Sequence, residues 1–188
     1  MGKVVNLMSH KEMIEFCNNL ANQFSDRFLN ADVLDCGSLD INGNNRWMFS
    51  GGTYYGIDIG SGANVDETCL VHEFQPDCKY DVIISTEMLE HDQYYPGSLV
   101  NMVGLLRKGG MLILTCGTTG RGIHGTIGHS PGTSPTSQIP GWQHYYRNIT
   151  IDDIRAVLDV DVVFSRYAFE INNISKDLYF WGITGDSD

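Results

Sequence analysis

The sequence lacks the features that mark membrane, secreted and metal-stapled proteins. No stretch of the 188 residues approaches the roughly 18 uninterrupted apolar residues that a membrane span needs. Residues 1–10 lack the apolar run of a signal peptide. The five cysteines are scattered and form no C-x-x-C pair, which argues against a disulfide framework and a structural zinc site. We therefore expect a cytoplasmic protein with one domain, residues 1–188, and no membrane partner.

Basic residues are also scarce. The chain has 12 Lys and Arg against 23 Asp and Glu, a formal net charge of −11, and the basic residues are dispersed. Such a surface repels phosphate backbones, so no nucleic-acid partner is expected. A small molecule is the expected partner.

Hydrophobic spacing predicts one helix followed by a series of strands. Met13, Cys17, Leu20 and Phe24 recur at helical spacing, so we expect a helix within residues 1–30. The apolar runs that follow are short, bounded by turn residues and apolar on both faces, which is typical of a parallel sheet. Five runs are predicted as strands: residues 31–35, 53–58, 67–71, 80–85 and 111–115.

The second half of the chain adds helices and a final hairpin. Pro96 suits the first turn of a helix whose apolar repeat reaches Leu106 and which residues 108–110 would end. Thr150 is expected to cap a later helix. Residues 160–169 and 178–184 are predicted as antiparallel strands. The fold class is therefore α/β: a sandwich with a mostly parallel sheet and a C-terminal antiparallel hairpin.

Residues 117–148 interrupt this alternation. They are rich in Gly, Ser, Thr and Pro and show no periodicity. The segment follows the fifth strand, at the carboxyl edge where open α/β sheets bind ligands. We therefore interpret it as an active-site loop or lid that is mobile without ligand.

The turn after the first strand predicts a ligand site. Gly37 would let a ligand approach the backbone, and Asp58 ends the second strand 23 residues after Asp35 (58 − 35 = 23). An acidic residue about 20 residues beyond such a turn is placed to bind a ribose diol. The alternative is that both carboxylates only cap strand ends.

Two longer segments add a family resemblance. Residues 80–91, YDVIISTEMLEH, and residues 105–115, LLRKGGMLILT, look like the "FDVVxSxExLEH" and "LkPGGxLxxT" segments of class I S-adenosylmethionine (SAM)-dependent methyltransferases. Residues 35–46, DCGSLDINGNNR, resemble the "EVGSxDVNGSxR" motif of small methyltransferases often linked to glycan or cell-surface biosynthesis. The resemblance implies a Rossmann-like fold and SAM as cofactor. It also implies methyl transfer to an oxygen or nitrogen of a small molecule, with a sugar or glycan intermediate as the first expectation.

The resemblance also implies a set of cofactor contacts. Asp58 would bind the ribose, and backbone groups near Leu70 and Val71 would select adenine. NAD is the rival cofactor, but residues 36–40 do not supply its G-x-G-x-x-G cradle, and Asp40 would repel its phosphates. The expected cofactor-binding residues are Asp35, Gly37, Ser38, Asp40, Asp58, Ile59, Leu70, Val71, Ser85 and Glu87.

The glycine motif departs from the family pattern. Leu39 and Ile41 stand where a G-x-G-x-G turn has its second and third glycines, so this turn must be shaped differently. This departure is the best support for an alternative function, a non-catalytic SAM-binding or protein-interaction module with a methyltransferase fold.

Two histidines are the candidates for catalysis. His91 ends the segment after the fourth strand, so it would face the reacting centre as general base or acceptor-orienting group, with His124 as the second candidate. An ordinary imidazole has a pKa of about 6.5 and can take a proton at neutral pH. The alternative for His91 is that it only ties the following loop to the backbone.

Acceptor-binding residues are expected in the irregular segment, which resembles a "HGxP…YWRFT" stretch of the same subgroup. The candidates are Trp142, His144, Tyr146 and Arg147. No metal is expected, because the sequence alone places no convergent carboxylates beside the histidines.

Overall fold

A seven-stranded sheet forms the centre of the protein. The structure is a computed structural model that describes residues 8–185, with side chains from residue 11 onward. The strands are β1 (Asp32–Cys36), β2 (Thr53–Asp58), β3 (Glu67–Thr68), β4 (Tyr80–Thr86), β5 (Leu106–Gly117), β6 (Phe164–Asn172) and β7 (Asp177–Thr184). They lie in the order β3-β2-β1-β4-β5-β7-β6. Among the described strands, β7 alone runs opposite to the others, which confirms the mostly parallel sheet with a C-terminal antiparallel hairpin.

Helices cover both faces of the sheet. They are α1 (Met8–Gln23), α2 (Tyr95–Leu105), α3 (Ile151–Val157) and α4 (Val160–Val163). The α1 stripe of Met13, Cys17 and Leu20 is buried against one face, as its spacing predicted, whereas α2 and α3 pack on the other. None of the described helices combines the length and apolar character needed to cross a membrane.

The predicted cap of α3 is confirmed. Thr150 Oγ1 accepts from the Asp153 N–H at 3.1 Å, and Asp153 Oδ2 accepts from the Thr150 N–H at 2.9 Å. This capping box starts α3 directly after the irregular segment, and it fixes the point at which that segment ends.

Three predicted boundaries were wrong. Residues 108–110 do not end α2, which stops at Leu105; they lie inside β5, where Gly109 has φ +68° and lets the strand start turn. The third strand covers only Glu67–Thr68, because Val71–Glu73 forms a 3₁₀ turn instead.

The start of the final hairpin also differs from its prediction. Val160–Val163 forms one helical turn, α4, because the Asp159 carbonyl accepts from the N–H groups of Val162 and Val163 at 3.0 and 2.9 Å. The strand β6 therefore begins only at Phe164.

Strands β1, β2, β4 and β5 end on the same edge of the sheet. The connection from β1 to β2 contains one 3₁₀ turn, Arg46–Met48, and otherwise irregular chain. This loop and the segment after β5 lie over the carboxyl ends of the strands, where a parallel sheet binds ligands.

Candidate active site

A cleft of about 640 Å³ opens at the carboxyl edge of the sheet. It lies within the 300–1,000 Å³ range of small-molecule sites. The structure brings eleven of the predicted site residues to its walls: Asp35, Gly37, Ser38, Asp58, Ile59, Leu70, Val71, Glu87, His91, His124 and Trp142. Residues predicted from separate motifs therefore share one site.

Gly37 forms the turn that opens the cleft after β1. Its φ is +85°, and a Cβ atom there would lie 2.6 Å from the Cβ of Met88. Its N–H donates to the Ile57 carbonyl at 2.9 Å, which holds the turn against β2. Only glycine fits this conformation and this close approach without displacing Met88.

Asp58 joins the turns that follow β1 and β2. Its Oδ2 accepts from the Leu39 N–H at 3.1 Å, and its Oδ1 accepts from the Gly60 N–H at 2.7 Å. The carboxylate therefore holds the two loops together, which is a structural role like the strand-end cap considered from the sequence. It also lines the cleft. Each carboxylate oxygen has capacity for a second donor such as a hydroxyl.

Asp35 presents an unsatisfied carboxylate oxygen at the end of β1. Its side chain is buried; Oδ2 accepts from the Tyr54 hydroxyl, and Oδ1 has no partner. Burial, which penalises the charged form, raises the pKa of Asp35 to about 6. A cationic ligand group would offset this penalty.

Glu87 presents a second such oxygen at the end of β4. Its backbone has φ +55°, a rare conformation for a residue with a side chain. Oε1 accepts from the Thr115 hydroxyl at 2.9 Å, whereas Oε2 has no hydrogen-bond partner and lies 3.9 Å from the Arg121 guanidinium. Burial, together with the nearby carboxylates of Glu90 and Asp177, raises the pKa of Glu87 well above its usual value.

His91 and His124 meet at one end of the cleft, with Tyr146 packed against both. The ring centroids of the two histidines are 5.0 Å apart, and Tyr146 lies 5.4 Å from His91 and 4.9 Å from His124. Burial, followed by the charges of His124 and Arg121, lowers the pKa of His91 to about 3. The expectation of an ordinary imidazole is therefore wrong: His91 is neutral and a weak base at neutral pH.

Two predicted cofactor residues do not line the cleft. Asp40 caps its own loop: its Oδ1 accepts from the Gly43 N–H and its Oδ2 from the Asn44 amide, both at 2.8 Å. Ser85 is fully buried inside β4, opposite Leu114 of β5. Their side chains are held within the loop and the sheet, so the structure does not bring them to the site.

Three predicted acceptor residues also lie outside the cleft lining. Arg147 is exposed and pairs with Asp153 at 2.5 Å. His144 is exposed on the segment surface. Tyr146 backs the two histidines instead of lining the cleft.

Sequence reasoning missed several cleft residues. The buried Asn45 donates to Thr86 Oγ1 at 3.1 Å, and Asp92 accepts from the Ser98 hydroxyl at 2.5 Å. Asn45 could have been found, because it lies inside the motif of residues 35–46. Arg121 carried no local signal, because its partners Ser175 and Asp177 are more than 50 residues away in the sequence.

The irregular segment packs over the cleft as ordered turns. It contains the 3₁₀ turns Pro131–Thr133 and Pro135–Gln138, and Ser134 and Thr136 are buried. Pro135 sits against Gly60, where an added Cβ would lie 2.6 Å from the proline ring. The segment therefore contacts the turn after β2 from across the cleft.

Solved structures share this fold over nearly the whole chain. A 1,6-didemethyltoxoflavin-N1-methyltransferase from Burkholderia thailandensis, solved with 1,6-didemethyltoxoflavin and S-adenosylhomocysteine, matches 90% of this chain and 76% of its own, at TM-score 0.61 and 16% identity. Magnesium protoporphyrin IX methyltransferase from Synechocystis PCC 6803, solved with S-adenosylhomocysteine, matches 98% of this chain and 90% of its own, at TM-score 0.61 and 16% identity. N-methyltransferase NodS from Bradyrhizobium japonicum WM9 matches 96% of this chain and 98% of its own, at TM-score 0.60 and 12% identity.

Neither the protein-family models nor the curated proteins gave a match. At 12–16% identity the structural likeness establishes the fold, and the fold is that of the Rossmann-like SAM-dependent methyltransferases.

Proposed function

We propose that this protein is an enzyme that transfers a methyl group from SAM to an oxygen or nitrogen of a small molecule. The observation that carries the proposal is the pair of buried carboxylate oxygens without a hydrogen-bond partner, Asp35 Oδ1 and Glu87 Oε2, in a cleft at the carboxyl edge of a methyltransferase fold. SAM carries a sulfonium and an ammonium group, and both cations suit such oxygens.

The remaining cofactor contacts follow from the cleft walls. Asp58 is placed to accept hydrogen bonds from ribose hydroxyls, since each of its oxygens has spare acceptor capacity. Gly37 admits a ligand close to the backbone. Leu70 and Val71, on the neighbouring wall, supply apolar contact and backbone groups for adenine.

The same charges oppose a dinucleotide. A pyrophosphate beside Asp35 would meet a buried carboxylate that, with a pKa of about 6, is mostly ionised at pH 7, and the repulsion grows in a buried site. The cleft therefore favours a cationic cofactor over NAD, in agreement with the missing glycine cradle.

Neutral imidazoles define the acceptor end. SAM, when bound, supplies an already electrophilic methyl group, so the protein mainly aligns the acceptor and excludes water. His91 and His124, whose pKa values are both lowered by burial, would orient the acceptor through hydrogen bonds.

A sugar or glycan intermediate is the substrate class that we propose. Hydroxyl side chains from the irregular segment line the cleft, and they offer donors and acceptors suited to a polyhydroxylated acceptor. They are Ser130, Thr133, Ser134 and Thr136. The segment as a whole, residues 117–148, would act as the lid over this acceptor.

Calorimetry and a turnover assay test the proposal. Purified protein should bind SAM with one site per chain, and the affinity should fall in Asp35→Asn but not in Asp77→Asn, a matched exposed carboxylate outside the cleft. With labelled SAM and a set of sugar and amine acceptors, S-adenosylhomocysteine should form. Absence of SAM binding would overturn the proposal, whereas binding without turnover on any acceptor would favour a non-catalytic module.

A further inference from the structure

Three potential metal ligands converge at the acceptor end of the cleft. Glu90, His91 and His124 each offer one ligand atom, and these atoms lie within 4.8 Å of one another. Glu90 and His91 belong to the 3₁₀ turn Leu89–His91 after β4, whereas His124 comes from the segment after β5. The fold therefore brings Glu90 and His91, which are neighbours in the sequence, close to His124 from a distant segment.

Two of these side chains carry buried atoms without partners. Glu90 is 0% exposed; its Oε1 accepts from the Gly117 N–H at 2.9 Å, and its Oε2 has no partner. His91 is 4% exposed, and its Nδ1 has no partner. Because unpartnered buried polar atoms are costly and rare, these two point to a ligand.

His124 is held as metal-binding histidines usually are. Its Nδ1 lies 3.0 Å from the Gly122 carbonyl. A carbonyl can only accept, so Nδ1 carries the hydrogen and Nε2 keeps a free lone pair. A backbone carbonyl on the second ring nitrogen is the usual arrangement that orients a metal-bound imidazole.

The charges around the cluster leave an acidic surplus. The carboxylates of Glu87, Glu90 and Asp177 lie near a single guanidinium, Arg121, which is 3.3 Å from Asp177 and 3.9 Å from Glu87. Asp177 is fully buried. Among the groups that the structure places around this cluster, one positive charge thus faces three acidic groups, and a divalent cation would balance the difference.

We propose that Glu90, His91 and His124 bind a divalent transition-metal ion such as Zn²⁺ or Mn²⁺. Two imidazoles and one carboxylate suit these ions, whereas Mg²⁺ and Ca²⁺ prefer ligand sets made of oxygen alone. Bonds of about 2.0–2.2 Å place ligand atoms roughly 3.0–3.5 Å apart, so atoms that lie within 4.8 Å of one another need to close by at most about 1.3–1.8 Å. His124 lies on irregular chain and can supply this movement.

The role of the ion rests on the proposed function. His91 and His124 line the cleft, so an ion held by them would lie where the acceptor is expected to bind. An ion held by these side chains would make an acceptor hydroxyl lose its proton to water more readily. The acceptor oxygen would then bond to the methyl carbon of SAM, the S–CH₃ bond would break with its electron pair staying on sulfur, and a neutral thioether would leave.

Metal binding to the full chain tests the site without any cofactor. Chelator-treated protein is titrated with Zn²⁺ and Mn²⁺ by calorimetry, and with Co²⁺ by visible absorption. One ion should bind per chain, and Glu90→Gln and His124→Ala should each weaken binding by at least about tenfold. His144→Ala, an exposed histidine outside the cluster, and Cys78→Ser, an exposed thiol, should bind as tightly as the parent.

Two results would overturn the inference: no saturable binding of any of the three ions, or equal binding in the parent and in both cluster variants. Circular dichroism confirms that each variant is folded; Glu90→Gln keeps an oxygen that can accept from Gly117, so it is the variant best suited to fold normally. Because no SAM is present, failure here leaves the proposed function standing, and failure of SAM binding leaves the metal site standing.

Discussion

The ionisation of Asp35 should control cofactor affinity near pH 6. Its Oδ1 is buried at the cleft wall without a partner, and burial raises its pKa to about 6. A cationic ligand binds the ionised carboxylate, so SAM affinity should be full well above pH 6 and should fall as the pH drops through that value.

The magnitude follows from the ionised fraction. A group with a pKa of about 6 is roughly 90% ionised at pH 7 and roughly 10% ionised at pH 5, so Kd for SAM should rise about tenfold between these values. Asp35→Asn removes the charge but keeps an oxygen that can accept from Tyr54. It should weaken binding at pH 7 by about 1.5–3 kcal/mol, the range for a hydrogen bond to a charged group.

The same substitution should raise the stability of the ligand-free protein, although it weakens SAM binding. The pKa of Asp35 is higher in the folded chain than in the unfolded chain, so the folded state holds this proton more tightly. Its contribution to the free energy of unfolding is present below the unfolded pKa of about 4 and is lost as the pH rises through 6. At pH 7 the ligand-free Asp35→Asn variant should therefore unfold at a higher denaturant concentration than the parent.

Calorimetry from pH 5 to pH 8 checks the expected loss of SAM affinity, and urea unfolding at pH 7 checks the expected gain in stability. The pH profile of SAM affinity should flatten in Asp35→Asn and persist in Asp77→Asn. If Asp35→Asn keeps both the parent affinity at pH 7 and the parent pH profile, Asp35 does not contact a cationic group and the charge reasoning fails.

Further predictions concern the cofactor, the lid and the acceptor. Asp58→Ala should weaken SAM binding by about 1.5–3 kcal/mol in calorimetry, and unchanged affinity in a folded variant would remove Asp58 from the ribose site. Amide hydrogen exchange in residues 117–148 should be fast without ligand and slow once SAM and acceptor bind; strong protection in the free protein would contradict a mobile lid. His91→Ala should lower kcat by about a hundredfold, because the acceptor loses the hydrogen bond that orients it, while SAM affinity stays within a few fold. Because the pKa of His91 is about 3, NMR should show no titration of its ring between pH 5 and pH 8.

Local patterns in the sequence were sufficient to predict most of the sheet. β2 spans the predicted residues 53–58, because its apolar run is bounded on both sides by turn residues. Residues 108–110 were misplaced because Lys-Gly-Gly also ends helices; in the structure they belong to the start of β5, whose register with β7 begins at Met111. The exposed two-residue β3 buries almost nothing, so its sequence carries little hydrophobic signal.

The candidate site divides in the same way. Asp35, Gly37 and Asp58 lie at or just beyond the carboxyl ends of neighbouring strands, so their meeting in one cleft was predictable from the order of the strands. The depressed pKa of His91 was not predictable, because it depends on burial beneath a segment that follows another strand. The pairing of Arg121 with Asp177 likewise depends on a hairpin more than 50 residues later.

Because of that pairing, the acceptor end of the cleft depends on the last hairpin of the chain. Asp177 begins β7, opposite Gly117, and it meets Arg121 only when the last hairpin has docked on β5. Contacts of such long sequence separation form slowly, because the intervening chain must be ordered first. A partly assembled chain would present the Asp58 side of the cleft but not the counter-ion of Glu87. Ligand binding that uses both sides of the cleft would therefore require the docked hairpin.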